Sequence, residues 1–182
     1  MKVLHAKNSG EDSNEITYVI LEWAERKSFV VGFSGTRGTL QFILQVLDLF
    51  PVEYSIHPEI KGAKVFNYYY ENYVDGFKDD FFEVMESLYN QTKYSSYGII
   101  FTGHSLGGVM ATHAVADFVL SEISNRNSIK DMAKSTFKPY VQIYTFGQLR
   151  VGNYAFIEPV QAKIDEAYRI VHNRDYIAHF PL

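Results

Sequence analysis

The sequence predicts an α/β fold with a mostly parallel central sheet and helices on both of its faces. Three observations predict it. Segments rich in β-branched and aromatic residues alternate along the chain with segments of helical periodicity, the pattern of a sheet built from crossover units. The stretch from Gly98 to Ala116 runs from an apolar strand pattern through Gly103-His104-Ser105-Leu106-Gly107 into a helical pattern, which reads as strand, sharp turn, helix. Two polar residues of reactive type, Ser105 and Asp175, each follow a strand-type segment, and in such sheets reactive groups stand at the carboxyl ends of strands.

Composition bounds the function. A chain of 182 residues that is 47% hydrophobic and 16% aromatic is long and apolar enough for one domain with a real core. Its 17 Lys+Arg stand against 21 Asp+Glu, a net charge of −4 with no basic cluster, so nothing points to nucleic acid or an anionic membrane as an electrostatic partner. There is no cysteine, which excludes disulfides, thiolate metal sites and a cysteine nucleophile. No stretch approaches the roughly 18 apolar residues of a transmembrane helix, and Met1–Gly10 has no apolar core of signal-peptide length. Both ends look abrupt, with Met1 a few residues before the first expected strand and Leu182 directly after a structured segment. The expectation is therefore a single domain over residues 1–182, incomplete at its C-terminus.

Taken in order, Glu15–Glu22 and Lys27–Phe33 read as a strand pair. The second runs into Ser34-Gly35-Thr36-Arg37-Gly38, either a plain glycine turn or a loop whose backbone N–H groups point outward. Thr39–Phe50 is helical in pattern and apolar almost all round, with Gln41, Gln45 and Asp48 as its polar stripe. Such a helix either packs into the core or acts as a cover that alternates between protein and lipid. Pro51 ends it. Pro51–Lys64 is loop-like, and His57 there reads as a solvated histidine. The aromatic run Val65–Tyr73 is core or the wall of an apolar cleft. A helix follows with Phe77, Phe81, Val84, Met85 and Leu88 on one face. After the Gly98–Ala116 unit, Ser121–Lys138 is a helix end and surface loop, Tyr140–Phe146 a strand, Tyr154 to about Ala167 a helix capped by Asn153, and Tyr168–His172 a last short strand.

Gly-x-Ser-x-Gly between strand and helix is the pattern of a nucleophile elbow, in which flanking glycines let strand and helix pass close together beneath a serine at the apex. An ordinary tight turn is the alternative. A serine hydroxyl attacks an acyl carbon only when a histidine takes its proton and a carboxylate orients that histidine. In hydrolases on such sheets the chain order is nucleophile, acid, histidine, and Asp175 fits the acid, with a solvated or capping aspartate in the Asn173-Arg174-Asp175 turn as the alternative.

Four motifs in this order resemble the fungal-type (class 3) lipases of the α/β-hydrolase fold: Val31-Gly-Phe-Ser-Gly-Thr36, Thr102-Gly-His-Ser-Leu-Gly-Gly108, Thr145-Phe-Gly-Gln-Leu-Arg-Val-Gly-Asn153 and Arg169-Ile-Val-His-Asn-Arg-Asp-Tyr-Ile-Ala-His-Phe-Pro181. The resemblance implies a serine hydrolase of lipid-like carboxylic esters working through an acyl-enzyme, with no metal or organic cofactor. It implies Ser105 as nucleophile, Asp175 as triad acid, and Thr36 and Leu106 as oxyanion donors. It places the Thr39–Phe50 segment where such lipases carry a lid, hence transient contact with a lipid interface. Ser34-Gly35-Thr36, Leu149 and Ile177-Ala178-His179 depart from the usual family residues, and none of them removes a reacting group. The family base lies well downstream of the acid, whereas this chain ends seven residues after Asp175. His104 and His179 match family histidines that are not the base, and His5, His57, His113 and His172 precede the acid. The resemblance thus implies that the catalytic histidine is absent from these 182 residues. The rival expectation, from a different class, is a hydrolase-like domain that binds acyl ligands or a partner without turnover.

Overall fold

The computed structural model describes residues 1–8, 16–35, 50–124 and 138–181. A six-stranded sheet runs in the order β1-β2-β3-β6-β7-β8, formed by Lys2–Asn8, Thr17–Trp23, Ser28–Phe33, Gly98–His104, Val141–Phe146 and Glu166–Ile170. The first three strands are antiparallel neighbours, and β3, β6, β7 and β8 are parallel. A mixed sheet flanked by helices is therefore present, with its parallel half carrying the Gly98–Ala116 unit. Thr36 and the expected helix from Thr39, save its last residue Phe50, lie outside the described residues.

Strand alternation and register decide which side chains share a face. Phe29, Val31 and Phe33 of β3 align with Ile99, Phe101 and Gly103 of β6 and with Val141, Ile143 and Thr145 of β7, and all of these except Gly103 are buried hydrophobic or polar core residues. On this face lie α2 (Asp79–Tyr89) and α3 (Leu106–Ser124), with Phe81 of α2 and Phe118 of α3 both against Phe101 at ring separations of 5.9 and 5.8 Å. The aromatic run expected as core or cleft wall is core: Val65 stands in the short strand β5 (Lys64–Phe66), and Tyr69 and Tyr73 of α1 (Asn67–Tyr73) are fully buried. The other face of the sheet, with Val19, Val30, Ile100, Thr102 and Tyr144, is half-buried. Of the two helical layers expected, the described residues show one.

Several boundaries differ from the expectation for identifiable reasons. Strand β1 had no clear alternation because it is an edge strand whose side chains are all exposed or half-buried. The loop expected over Pro51–Lys64 contains strand β4 (Pro51–Glu53), paired antiparallel with β5. Helix α4 (Tyr154–Gln161) stops short of Ala167, and β8 begins earlier than expected. Asp165 accounts for this: its carboxylate accepts the Val141 N–H at 2.8 Å while its own N–H donates to the Val141 carbonyl at 2.9 Å, pinning the start of β8 to the start of β7. The expected cap is present, for Asn153 Oδ1 accepts the N–H groups of Phe156 (3.1 Å) and Lys64 (3.0 Å).

Between α1, α3 and α4 lies a buried aromatic nest containing one histidine. The His113 ring stacks on Tyr73 at 5.7 Å and lies 5.9 Å from Phe156, fully buried, with neither ring nitrogen hydrogen-bonded among the described residues. Burial pushes its pKa down to about 3, against a smaller opposing pull from the Asp117 carboxylate. In the unfolded chain the ring takes a proton near pH 6.5. Between that value and about 3 the unfolded state therefore binds more protons, and this group destabilises the fold as pH falls. His113→Phe is expected to flatten the decline of the urea midpoint between pH 6.5 and 4.5, leaving only the slope contributed by the carboxylates. An unchanged slope would assign the acid sensitivity to the carboxylates alone.

Candidate active site

The turn after β6 is shaped by two glycines. A Cβ on Gly103 would overlap the Gly107 carbonyl and lie 2.6 Å from the Gly108 nitrogen. One on Gly107 would overlap the Phe33 carbonyl and lie 2.7 Å from that of Ser34. Only bare backbone lets β6, α3 and the end of β3 meet this closely. Between them Ser105 adopts a left-handed backbone with φ of 54°, a conformation costing a non-glycine residue about 1–3 kcal/mol. The tie that holds it there is the Ser105 N–H, which donates to the Phe146 carbonyl at the end of β7 at 2.9 Å.

The serine is 8% exposed and its Oγ has no hydrogen-bond partner among the described residues. A strained residue with an unpartnered hydroxyl is what a fold keeps for chemistry rather than stability. Leu106 begins α3, so its N–H belongs to the first turn, where a helix has donors without internal acceptors and a partial positive charge. The Ser34-Gly35 backbone crosses the elbow closely: a Cβ on Gly35 would lie 2.9 Å from the His104 carbonyl and 3.7 Å from Ser105 Cβ. Thr36, the next residue, lies outside the described residues.

Asp175 follows β8 in a tight turn. Asn173 has φ of 48°, the Asp175 N–H donates to the His172 carbonyl at 3.2 Å, and Asp175 Oδ1 accepts the Ile177 N–H at 3.0 Å. The other carboxylate oxygen faces the elbow side: a Cβ on Gly147 would lie 3.5 Å from both Asp175 Oδ2 and His104 Nε2. The acid thus stands at the carboxyl ends of β6 and β7, the edge that carries Ser105. Of the four expected site residues, the fold gathers Ser105, Leu106 and Asp175 at one sheet edge.

The expectation that a catalytic histidine is absent is corrected by His57. It is not a solvated loop histidine: it is 3% exposed, its Nε2 is 2.9 Å from Asp117 Oδ1 and its Nδ1 is 3.1 Å from Glu59 Oε1. A buried histidine held by an aspartate is the arrangement of a catalytic dyad. Asp117 also accepts from Tyr73 Oη at 2.9 Å and Ser121 Oγ at 3.0 Å. The signal available in sequence was Asp117 itself, an acid inside the apolar helical run from Val109 to Leu120, which a buried helix tolerates only with partners. Asp117 follows Ser105 by twelve residues, about 18 Å along the axis of α3, so one helix carries the serine at its start and the dyad further along. His104 and His179 are exposed. Among the described residues no cluster of His, Asp and Glu could hold a metal ion, and no described helix is long and apolar enough to cross a membrane.

With this geometry in place, comparison with known proteins is informative. The family described as Lipase (class 3) matches residues 30–182. A lipase of Rhizopus niveus is 34% identical over 162 residues, covering 89% of this chain and 37% of that protein. The crystal structure of the lipase from Rhizopus microsporus var. chinensis superposes with a TM-score of 0.73 at 32% identity, covering 100% of this chain and 56% of that one. Lipase II from Rhizopus niveus gives a TM-score of 0.76 at 28% identity, covering 99% and 60% respectively. The chain spans little more than a third of the length of the curated relative and somewhat over half of the solved chains.

The glycine contacts at the turn are testable without an assay of activity. Gly107→Ala is expected to destabilise the protein by about 3 kcal/mol or prevent folding, because its Cβ meets backbone that cannot yield. Gly32→Ala, whose Cβ would meet Val19 Cγ2 at an ordinary 3.6 Å, serves as the control. Equal denaturation midpoints for the two variants would show that the close approach is dispensable.

Proposed function

The chain belongs to the class 3 lipase family, and from that premise we propose that it carries the nucleophile, the acid and the oxyanion donors of a serine hydrolase acting on lipid-like carboxylic esters. The observation that carries this reading is Ser105: left-handed, buried, its Oγ without a partner among the described residues, at the start of α3.

In the proposed reaction Ser105 Oγ attacks the ester carbonyl carbon and gives its proton to a general base. The carbonyl oxygen becomes an oxyanion within reach of the Leu106 N–H, with the backbone N–H and hydroxyl of Thr36 as the second set of donors. Asp175, at the same carboxyl edge of the sheet, is the triad carboxylate that stabilises the positive charge the base takes on with that proton. The proton then goes to the departing alcohol oxygen, leaving an acyl-serine, and water repeats the sequence in reverse order to release the carboxylic acid. No metal or organic cofactor has a step in it. The apolar sequence from Leu40 to Phe50 supports a lipid-facing role for that segment, with transient contact to a lipid interface held by hydrophobic rather than charge attraction.

Ser105→Ala is expected to abolish both turnover of p-nitrophenyl esters and labelling by a fluorophosphonate probe while leaving the circular dichroism spectrum and melting curve intact. Retained turnover in that variant would remove the serine from the mechanism. For the oxyanion, Thr36→Val is expected to lower kcat by about 10²–10³ with little change in KM, the usual cost of losing one donor to the transition-state charge. A change confined to KM would make Thr36 a pocket residue.

A further inference from the structure

Arg169 is an exposed residue of the edge strand with a part-buried guanidinium, and the proposed reaction does not use it. Register places it on the core face of β8, opposite Thr145, and its guanidinium donates from one nitrogen to the carbonyls of Gln148 and Ala178. Gln148 lies just past β7, and Ala178 lies three residues beyond Asp175. Burial and the neighbouring Arg150 lower the Arg169 pKa, while the Asp175 carboxylate pulls it the other way, so the acid is within electrostatic reach of this cation.

The link does not stop at the backbone of Gln148. The Gln148 side chain, 6% exposed, donates from Nε2 to Thr112 Oγ1 at 2.9 Å, and that hydroxyl spends its single proton on the Gly108 carbonyl at 2.9 Å. Gln148 also packs against Gly108, where an added Cβ would lie 3.0 Å from Gln148 Cβ. A continuous chain of hydrogen bonds therefore runs from the first turns of the serine's helix, through Thr112 and Gln148, to Arg169 and the segment bearing Asp175. The described turn around Asp175 otherwise bonds mainly to itself, through the His172 carbonyl and the Ile177 N–H, with the Arg150 N–H to the Phe180 carbonyl at 2.9 Å as a second tether.

We propose that Arg169, acting through Gln148 and Thr112, is a positioning residue that sets the Asp175 loop against the nucleophile's helix. This rests on the reading of Asp175 as the triad carboxylate. A guanidinium suits the task because one terminal nitrogen carries two N–H donors held in a fixed plane, one for each carbonyl, and a charged donor gives the stronger bond. Displacing that carboxylate by an ångström moves the charge it sets against the reacting serine, and misplacement on that scale costs about 10²-fold in rate.

The experiment compares Arg169→Gln, Arg169→Lys and Asp175→Asn in the native protein by ester hydrolysis and by amide hydrogen exchange. Arg169→Gln is expected to lower kcat by about 10²-fold with KM unchanged, and Arg169→Lys to recover part of it. Exchange of the Arg150 and Phe180 amides should quicken about tenfold or more in Arg169→Gln, the equivalent of losing one charge-assisted hydrogen bond, while the Ile99–Phe101 amides of β6 stay protected. If Arg169→Gln does not fold, Thr112→Val cuts the same chain nearer the helix and should lower kcat in the same direction by a smaller factor. Asp175→Asn separates the two readings: full activity in that variant would defeat the triad assignment, while quickened exchange in Arg169→Gln would still mark the clamp. Unchanged kcat and unchanged exchange in Arg169→Gln, with Asp175→Asn inactive, would overturn the positioning role.

Discussion

Backbone meeting backbone at Gly103 and Gly107 is the constraint on which the rest of this structure depends. Strand β6 has to turn directly into α3 while the end of β3 passes across the turn, and side chains at either glycine would occupy space already taken by carbonyl groups. The turn concentrates its strain on Ser105, which is locked by one hydrogen bond to β7. A hydroxyl on such a turn is fixed in position, and among the described residues no partner ties it.

The remainder of the fold makes that turn rigid. Aromatic side chains from β2, β3, β6, α2 and α3 interlock on one face of the sheet, with Tyr18 stacked 5.5 Å from Phe33 and edge-on to Phe77. Polar anchors stand around the core: Tyr18 and His5 both bond Asp80, and Glu22 gathers Lys93, Tyr94 and Tyr97 at the opposite end of β2. Along α3, the His57–Asp117–Tyr73 cluster ties the β4–β5 loop to the helix. Removing one member of such a buried set leaves a charge or donor without compensation, which is why these groups occur together.

Asp175 is held at the sheet edge that carries Ser105 by a different kind of contact. Asp175 sits on a turn after an exposed edge strand, and what holds that turn is polar, a guanidinium and a few backbone bonds. Polar tethers fix direction more sharply than apolar packing does. The serine is thus placed by steric necessity and the carboxylate by hydrogen bonding.

What the sequence by itself determined was local. Gly-x-Ser-x-Gly between an apolar run and a helical pattern specified the elbow, because the glycine spacing and the periodicity are properties of adjacent residues. The strand pair β2–β3, the aromatic core helix and the Asn153 cap were legible on the same ground. Only the tertiary structure decided the fate of His57, Arg169 and Asp165, whose roles depend on partners 60, 21 and 24 residues away in sequence. A histidine in a proline-rich loop reads as solvated until the loop folds over a helix that carries a buried aspartate. An edge strand such as β1 shows no alternation because one-sided burial, the cause of alternation, is weak there. Local steric and periodic signals are written in neighbouring residues, whereas the pairing of buried charges is settled only when distant segments meet.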